Sequence, residues 1–150
     1  MQARDIMTKD PACCTPSASV QEVALLMKHN DCGCIPIVDE SRRLVGVVTD
    51  RDIAVRAIAD GMDANTMVGK FMTTDPASCS PESDLQEIEQ IMGERQVRRV
   101  PITDEDGCCV GIVSQADLAL AEDRGVTDSE VGKVLERISE TQTRRRTPLH

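Results

Sequence analysis

Aromatic residues are almost missing from this chain: its 150 residues include one phenylalanine, Phe71, and no tryptophan or tyrosine. A protein that stacks single-stranded bases needs several aromatic platforms, so that class is excluded. The core must be built from Ile, Val, Leu, Met, Ala and Cys. Positive charge is also short, with 17 Lys and Arg against 26 Asp and Glu and a formal net charge of -9. An acidic chain needs a strong local basic patch to hold nucleic acid. Its basic run, Arg144-Arg145-Arg146, reads as a solvated tail, so nucleic acid is not an expected partner. No stretch reaches the apolar length of a membrane span, and the first residues lack the apolar core of a signal peptide. The expectation is a cytoplasmic protein with no membrane partner.

Cysteine is present but not in a recognisable pattern. The seven are Cys13, Cys14, Cys32, Cys34, Cys79, Cys108 and Cys109. None forms C-x-x-C, and His29 and His150 do not extend the clusters toward a zinc set. They are expected to be small buried hydrophobes or incidental thiols, with no metal ligand among them. A disulfide or a metal within one half is the alternative. Apolar residues at 40% and charged residues at 29% suit a globular chain that buries its own core.

The chain repeats itself. Shifted by 65 residues, Asp5–Ala57 aligns without a gap on Lys70–Glu122, with 19 identities in 53 pairs. Met7-Thr8-Lys9-Asp10-Pro11-Ala12 falls on Met72-Thr73-Thr74-Asp75-Pro76-Ala77, and Val45-Gly46-Val47-Val48 falls on Val110-Gly111-Ile112-Val113. Agreement of that extent implies two copies of one supersecondary unit.

Each copy reads as strand, helix, strand, strand, helix. In the first, residues 12–15 are a short strand before Pro16. Ser19 and Glu22 form a capping box that starts a helix, and Asp84 and Glu87 match them in the second copy. Val20, Val23, Ala24 and Met27 make one apolar face. Cys34–Val38 and Leu44–Thr49 are strands, the second a continuous apolar run. Asp104-Glu105-Asp106-Gly107 is a hairpin signal. Second helices follow over Asp50–Ile58 and Gln115–Asp123. Asp128–Thr141, with Val131, Val134, Leu135 and Ile138 at helical spacing, predicts a final amphipathic helix that needs a partner for its apolar face.

Both long strands end in the same pattern, G-h-h-[ST]-x-x-D: Gly46-Val47-Val48-Thr49-Asp50-Arg51-Asp52 and Gly111-Ile112-Val113-Ser114-Gln115-Ala116-Asp117. Thr49 and Asp52 are spaced as an N-cap and its N3 partner, which would merely start a helix. The same geometry offers a helix N-terminus and a hydroxyl to a phosphate, and a carboxylate to ribose hydroxyls. Spacing alone leaves both readings open.

These motifs recur in order in both halves. Asp5-Ile6-Met7-Thr8, Ile35-Pro36-Ile37-Val38-Asp39 and the G-h-h-[ST]-x-x-D segment stand in the first copy. Phe71-Met72-Thr73, Val97-Arg98-Arg99-Val100-Pro101-Ile102 and Gly111-Ile112-Val113-Ser114 stand in the second. Over residues 4–124 the chain resembles the CBS domain pair, or Bateman module. The resemblance implies an α/β (α+β) fold of two pseudo-symmetric β-α-β-β-α repeats packed sheet to sheet. The repeats would span residues 4–60 and 70–124, joined by a connector at 61–69, with a C-terminal helix and basic tail at 125–150. It also implies clefts between the repeats that take an adenosine-type nucleotide: AMP, ADP, ATP or S-adenosylmethionine. The family's hydroxyl and carboxylate positions map onto Thr49 with Asp52, and Ser114 with Asp117. The purine would lie near Ala12, Ile37 and Val47, or near Ala77, Ile102 and Ile112. Arg98 and Arg99 fall where the family often grips phosphate, a role that suits the planar guanidinium fork. In the first copy Gly33 and Cys34 stand there instead, so the two sites are expected to be unequal. Arg51, Lys70, Arg42 and Arg43 are further phosphate candidates.

No nucleophile, base or metal constellation emerges, and His29 reads as a solvated helix residue. The expectation is a non-catalytic regulatory module with no cofactor beyond its nucleotide ligand. By resemblance it forms a homodimer and acts on an effector protein that the sequence does not name. The alternative is an interaction, redox or metal-responsive protein with vestigial nucleotide sites.

Overall fold

The computed structural model describes residues 1–121. The expected final helix and the Arg144–Arg146 run lie outside the described residues. The chain opens with one helical turn, α1 (Ala3–Ile6), and a two-residue strand, β1 (Thr8–Lys9). Helix α2 (Val20–Asn30) starts at Ser19, whose hydroxyl accepts from the Glu22 amide at 3.1 Å. The Glu22 carboxylate accepts from the Ser19 amide at 3.0 Å. Strands β2 (Cys34–Val38) and β3 (Leu44–Thr49) pair antiparallel from Cys34↔Thr49 to Val38↔Leu44, with a register shift between Ile37 and Val38. A short helix α3 (Asp50–Asp52) runs into a π-helical stretch, Ile53–Ile58. A 3-10 turn (Val68–Lys70) and β4 (Thr73–Thr74) lead into α4 (Leu85–Arg95), β5 (Arg99–Thr103), β6 (Cys109–Ser114) and α5 (Gln115–Leu120).

The strands form two three-stranded sheets, in the orders β2-β3-β4 and β1-β6-β5. Each hairpin is therefore completed by the strand that opens the other repeat. Strand β4 pairs with β3 through Gly46↔Thr74 and Val47↔Thr73, while β1 joins the sheet of β5 and β6. The compact units cross the repeat boundaries accordingly. Of the described residues, one contains Met1–Thr8, Ala77–Ile102 and 111–121; the other contains Lys9–Pro76 with Thr103–Val110. We call them the second-repeat and first-repeat units.

This exchange explains a motif. A Cβ built on Gly46 would stand 2.8 Å from Met72 Sδ and 2.9 Å from the Thr73 carbonyl oxygen. One on Gly111 would collide with Met7. The glycine of G-h-h-[ST]-x-x-D is thus required by the methionine just before the incoming strand, Met72 or Met7, a packing constraint repeated in both units.

The repeat extends to backbone conformation. Positive φ recurs at Asp10 and Asp75, at Asp31 and Gln96, and at Arg42 and Gly107. Asp31 and Gln96 are the left-handed C-caps of α2 and α4. Arg42 holds φ 66 in the hairpin turn where the second copy has the freer Gly107 at φ 82.

Several expectations are corrected. Residues 12–15 are not a strand; Cys14 alone makes a parallel bridge, to Ile37. Pro11 and Pro16 flank the segment and lack the N–H that a longer ladder needs. On α2 Ala24 is exposed, because the apolar face centres on Val23 and takes in the partly buried Leu26 instead. In α4 only half of the capping box forms: Asp84 accepts from the Glu87 amide at 2.8 Å. The helix predicted over Asp50–Ile58 is π-helical for most of its length, with Ala59 donating to Ala54 and Met62 to Ala57.

The core of the first-repeat unit is aliphatic, as composition requires, with Val23, Ile35, Ile37, Val48 and Val68 at 0% exposure around Phe71. Substituting Gly46→Ala should destabilise by about 2 kcal/mol, the usual scale of an overpacking change. Gly111→Ala should cost less, since there only the flexible Met7 must move. Urea denaturation of both variants checks the order.

Candidate functional site

The end of β3 in the first-repeat unit, and of β6 in the second-repeat unit, carries the same reciprocal pair of hydrogen bonds. Thr49 Oγ1 accepts from the Asp52 amide at 3.1 Å, and Asp52 Oδ2 accepts from the Thr49 amide at 2.9 Å. Ser114 Oγ accepts from the Asp117 amide at 3.1 Å, and Asp117 Oδ2 accepts from the Ser114 amide at 2.7 Å. Both pairs are capping boxes, so the helix-start reading of the motif is correct.

The boxes do not exhaust the groups that form them. Each hydroxyl accepts one bond and keeps its own proton to donate. Each carboxylate uses one oxygen; Oδ1 of Asp52 and Oδ1 of Asp117 accept no hydrogen bond among the described residues. All four side chains are half-buried. The cap fixes the rotamer of each carboxylate and leaves one acceptor and one donor unused at each helix start.

The remaining sequence-predicted residues fall around these pairs within their own units. In the second-repeat unit the Gln115 amide donates to the Arg98 carbonyl at 2.8 Å, which brings Arg98 beside Ser114. In the first-repeat unit the Asp50 amide donates to the Gly33 carbonyl at 2.9 Å, so Gly33 occupies the place of Arg98. Arg98 is exposed and Arg99 half-buried, and neither forms an ion pair among the described residues. Ala12 and Ala77 are half-buried in irregular segments, and their backbone groups enter no hydrogen bond among the described residues. Two residues further on, Cys14 and Cys79 bridge to Ile37 and Ile102. Val47 and Ile112 are half-buried on β3 and β6.

Ile37 and Ile102 are corrected. Both are 0% exposed, so their side chains belong to the core and offer no surface to a ring. Ile37 lies in the aliphatic cluster with Ile35 and Val48, and Ile102 is as fully buried in β5.

Sequence reasoning missed Gln115. Its Nε2 is buried and has no hydrogen-bond partner among the described residues. An unpaired buried donor costs about 1–3 kcal/mol, so a nearby acceptor would be favoured here. Gln115 sits at an unconstrained position of the pattern, where nothing in the sequence marks it.

The cysteines divide by environment. Burial pushes the Cys14 thiol up to about 11, helped by Cys13 and Glu22. Burial also raises Cys79, against a hydrogen bond with Ser83. Among the described residues, no group of three His, Cys, Asp or Glu side chains is placed to hold a metal ion. No helix among them is long and apolar enough to cross a membrane.

Comparison with known proteins identifies the repeat. The CBS domain family matches the chain twice, at residues 3–58 and 68–123, and the chain belongs to that family. A relative in Bacillus subtilis (strain 168), the CBS domain-containing protein YhcV, is 39% identical over 136 residues, covering 91% of this chain and 94% of the relative. The crystal structure of Hypoxic Response Protein I with two coordinated zinc ions superposes with a TM-score of 0.75 at 35% identity, covering 85% of this chain and all of that one. The CBS domain pair of protein MJ0100, in complex with 5-methylthioadenosine and S-adenosyl-L-methionine, gives a TM-score of 0.76 at 25% identity over 84% of this chain and 98% of that chain.

The caps themselves are testable. Asp117→Ala removes the reciprocal bond and should destabilise by about 1 kcal/mol. Asp117→Asn keeps an oxygen for the Ser114 amide and should retain most of that stability. Thermal unfolding of the two variants separates them.

Proposed function

We propose that the protein is a non-catalytic regulatory module that binds an adenosine-type nucleotide at its hydroxyl–carboxylate pairs. The observation that carries the reading is the spare carboxylate oxygen and spare hydroxyl proton at matching positions of both repeats. A ribose presents two adjacent hydroxyls, and a charged acceptor is the group that suits them. The unbonded backbone at Ala12 or Ala77 suits the polar edge of adenine, and Val47 or Ile112 its face. An adenine slot without aromatic rings agrees with a chain that has only Phe71, which is itself in the core. The MJ0100 pair, crystallised with 5-methylthioadenosine and S-adenosyl-L-methionine, supports the ligand class.

The two sites are unequal. Arg98, Arg99 and the unpaired Gln115 side-chain Nε2 favour a phosphorylated ligand such as AMP, ADP or ATP in the second-repeat unit. Gly33 and Cys34 leave the first-repeat unit without those donors, which favours an uncharged adenosine group.

Titration calorimetry with AMP, ATP and S-adenosylmethionine tests this. Asp52→Asn and Asp117→Asn should each weaken binding at their own site by about tenfold or more, the scale of a hydrogen bond to a charged group. Arg98→Ala should weaken AMP and ATP several-fold and leave S-adenosylmethionine within about twofold. No heat with any of the three, or unchanged affinity in both Asn variants, contradicts the reading.

The module acts as a homodimer in this reading. Val55 at 53%, Ile58 at 57% and Leu120 at 66% exposure stand on the helices that follow the two pairs. Covering them would stabilise a second copy by apolar burial. Ligand bound close by could bias that association toward an effector protein only through unequal affinity for its states. In sedimentation the wild type should be dimeric and the Ile58→Glu/Leu120→Glu variant monomeric. A monomeric wild type removes this part of the proposal.

A further inference from the structure

Four of the described cysteines have settled roles. Cys14 and Cys79 occupy matching positions and bridge matching strands. Cys34 is buried in β2. Cys108 donates its thiol proton to the Ser41 carbonyl at 3.3 Å. Cys13 donates its thiol proton to the Pro11 carbonyl at 3.2 Å. Cys13 and Cys109 fall on Ser78 and Leu44 of the other copy, so the repeat accounts for neither. The fold brings these two together inside the first-repeat unit. The Asp10 amide donates to the Val110 carbonyl at 3.2 Å, and the Cys109 amide to the Arg42 carbonyl at 3.1 Å. Cys13, three residues beyond Asp10, shares a side-chain hydrogen bond with Cys109. Both are reduced, Cys13 half-buried and Cys109 at 2% exposure.

We propose that Cys13 and Cys109 form an oxidisable pair, in which Cys13 is the thiol attacked by a hydroperoxide and Cys109 resolves it to an intrachain disulfide. The Cys13 thiolate attacks the peroxide, the O–O bond breaks, and Cys13 becomes a sulfenic acid while the peroxide leaves as an alcohol, or as water from hydrogen peroxide. The Cys109 sulfur then attacks the Cys13 sulfur, the S–O bond breaks, and a second water leaves with the Cys109 proton. The two thiols lose two electrons and two protons, and the peroxide gains them.

The surroundings assign the roles. The hydrogen bond from Cys109 holds the Cys13 thiol below its ordinary value, and Arg42 acts in the same direction against burial and Asp10. Thiolate character beside a cation marks a reactive cysteine. Cys109 is too enclosed to meet a peroxide first, yet it touches the sulfur that has. Cys14, adjacent in sequence, is kept protonated by burial and does not compete.

Hydrogen peroxide titration of the reduced full-length protein tests the pair. The reaction is followed by alkylation under denaturing conditions and peptide mass spectrometry. Two of the seven cysteines should become protected, and a peptide linking Cys13 to Cys109 should appear before exposed Cys32 is oxidised. In Cys109→Ser, Cys13 should stop at a sulfenic acid that dimedone captures. In Cys13→Ser, Cys109 should stay reduced. Oxidation beginning at another cysteine, a link between any other two, or no oxidation of Cys13 at all overturns the proposal. No nucleotide is needed, so its failure is separate from that of the sensor reading.

Discussion

One reciprocal pair of hydrogen bonds, made twice, organises this molecule. A hydroxyl at the last residue of a strand accepts from an amide three residues on, and the carboxylate there accepts from the hydroxyl's own amide. The pair ends β3 or β6, starts the helix that follows and locks the carboxylate rotamer. A capping box is ordinarily a local device for unsatisfied helix N–H groups. Here its geometry matters further, because it consumes one carboxylate oxygen and holds the other still. A preorganised acceptor loses less entropy on binding than a mobile one. Structure and ligand recognition therefore need not compete for Thr49, Asp52, Ser114 and Asp117.

Strand exchange gives these pairs their setting. Because β4 completes the first hairpin and β1 the second, neither repeat owns a finished sheet. The methionine that arrives with each exchanged strand fills the space over Gly46 or Gly111, three residues before the hydroxyl. The invariance of the pattern between copies thus has two causes: glycine is fixed by packing, and the hydroxyl and carboxylate by the cap. Divergence concentrates where neither applies, at Gly33 and Cys34 against Arg98 and Arg99, and at Asp50 against Gln115.

Much of this was legible in the sequence because the physics is local. The limits of β2 and β3 follow from an apolar run bracketed by turn residues, and Ser19 with Glu22 announces α2. The 65-residue repeat carries through to the positive-φ residues. What was not legible depends on distant partners. Residues 12–15 have the composition of a strand, but two prolines and a single bridge to Ile37 leave only Cys14 paired. The exchange of β1 and β4 has no sequence signature, since either repeat could pair with its own leading strand. Ile37 and Ile102 share the site's motif and yet point into the core. Cys13 and Cys109 are 96 positions apart, and only the register of β6 against Asp10 brings them into contact.

The central claim is that the caps stay closed while their spare atoms hold a ribose. A crystal structure of the protein grown with AMP tests it most directly. The ribose hydroxyls should lie within hydrogen-bond distance of Oδ1 of Asp52 or Asp117, with Oδ2 still accepting from the Thr49 or Ser114 amide. A nucleotide bound away from both carboxylates, or one that opens the caps to bind, would contradict the account.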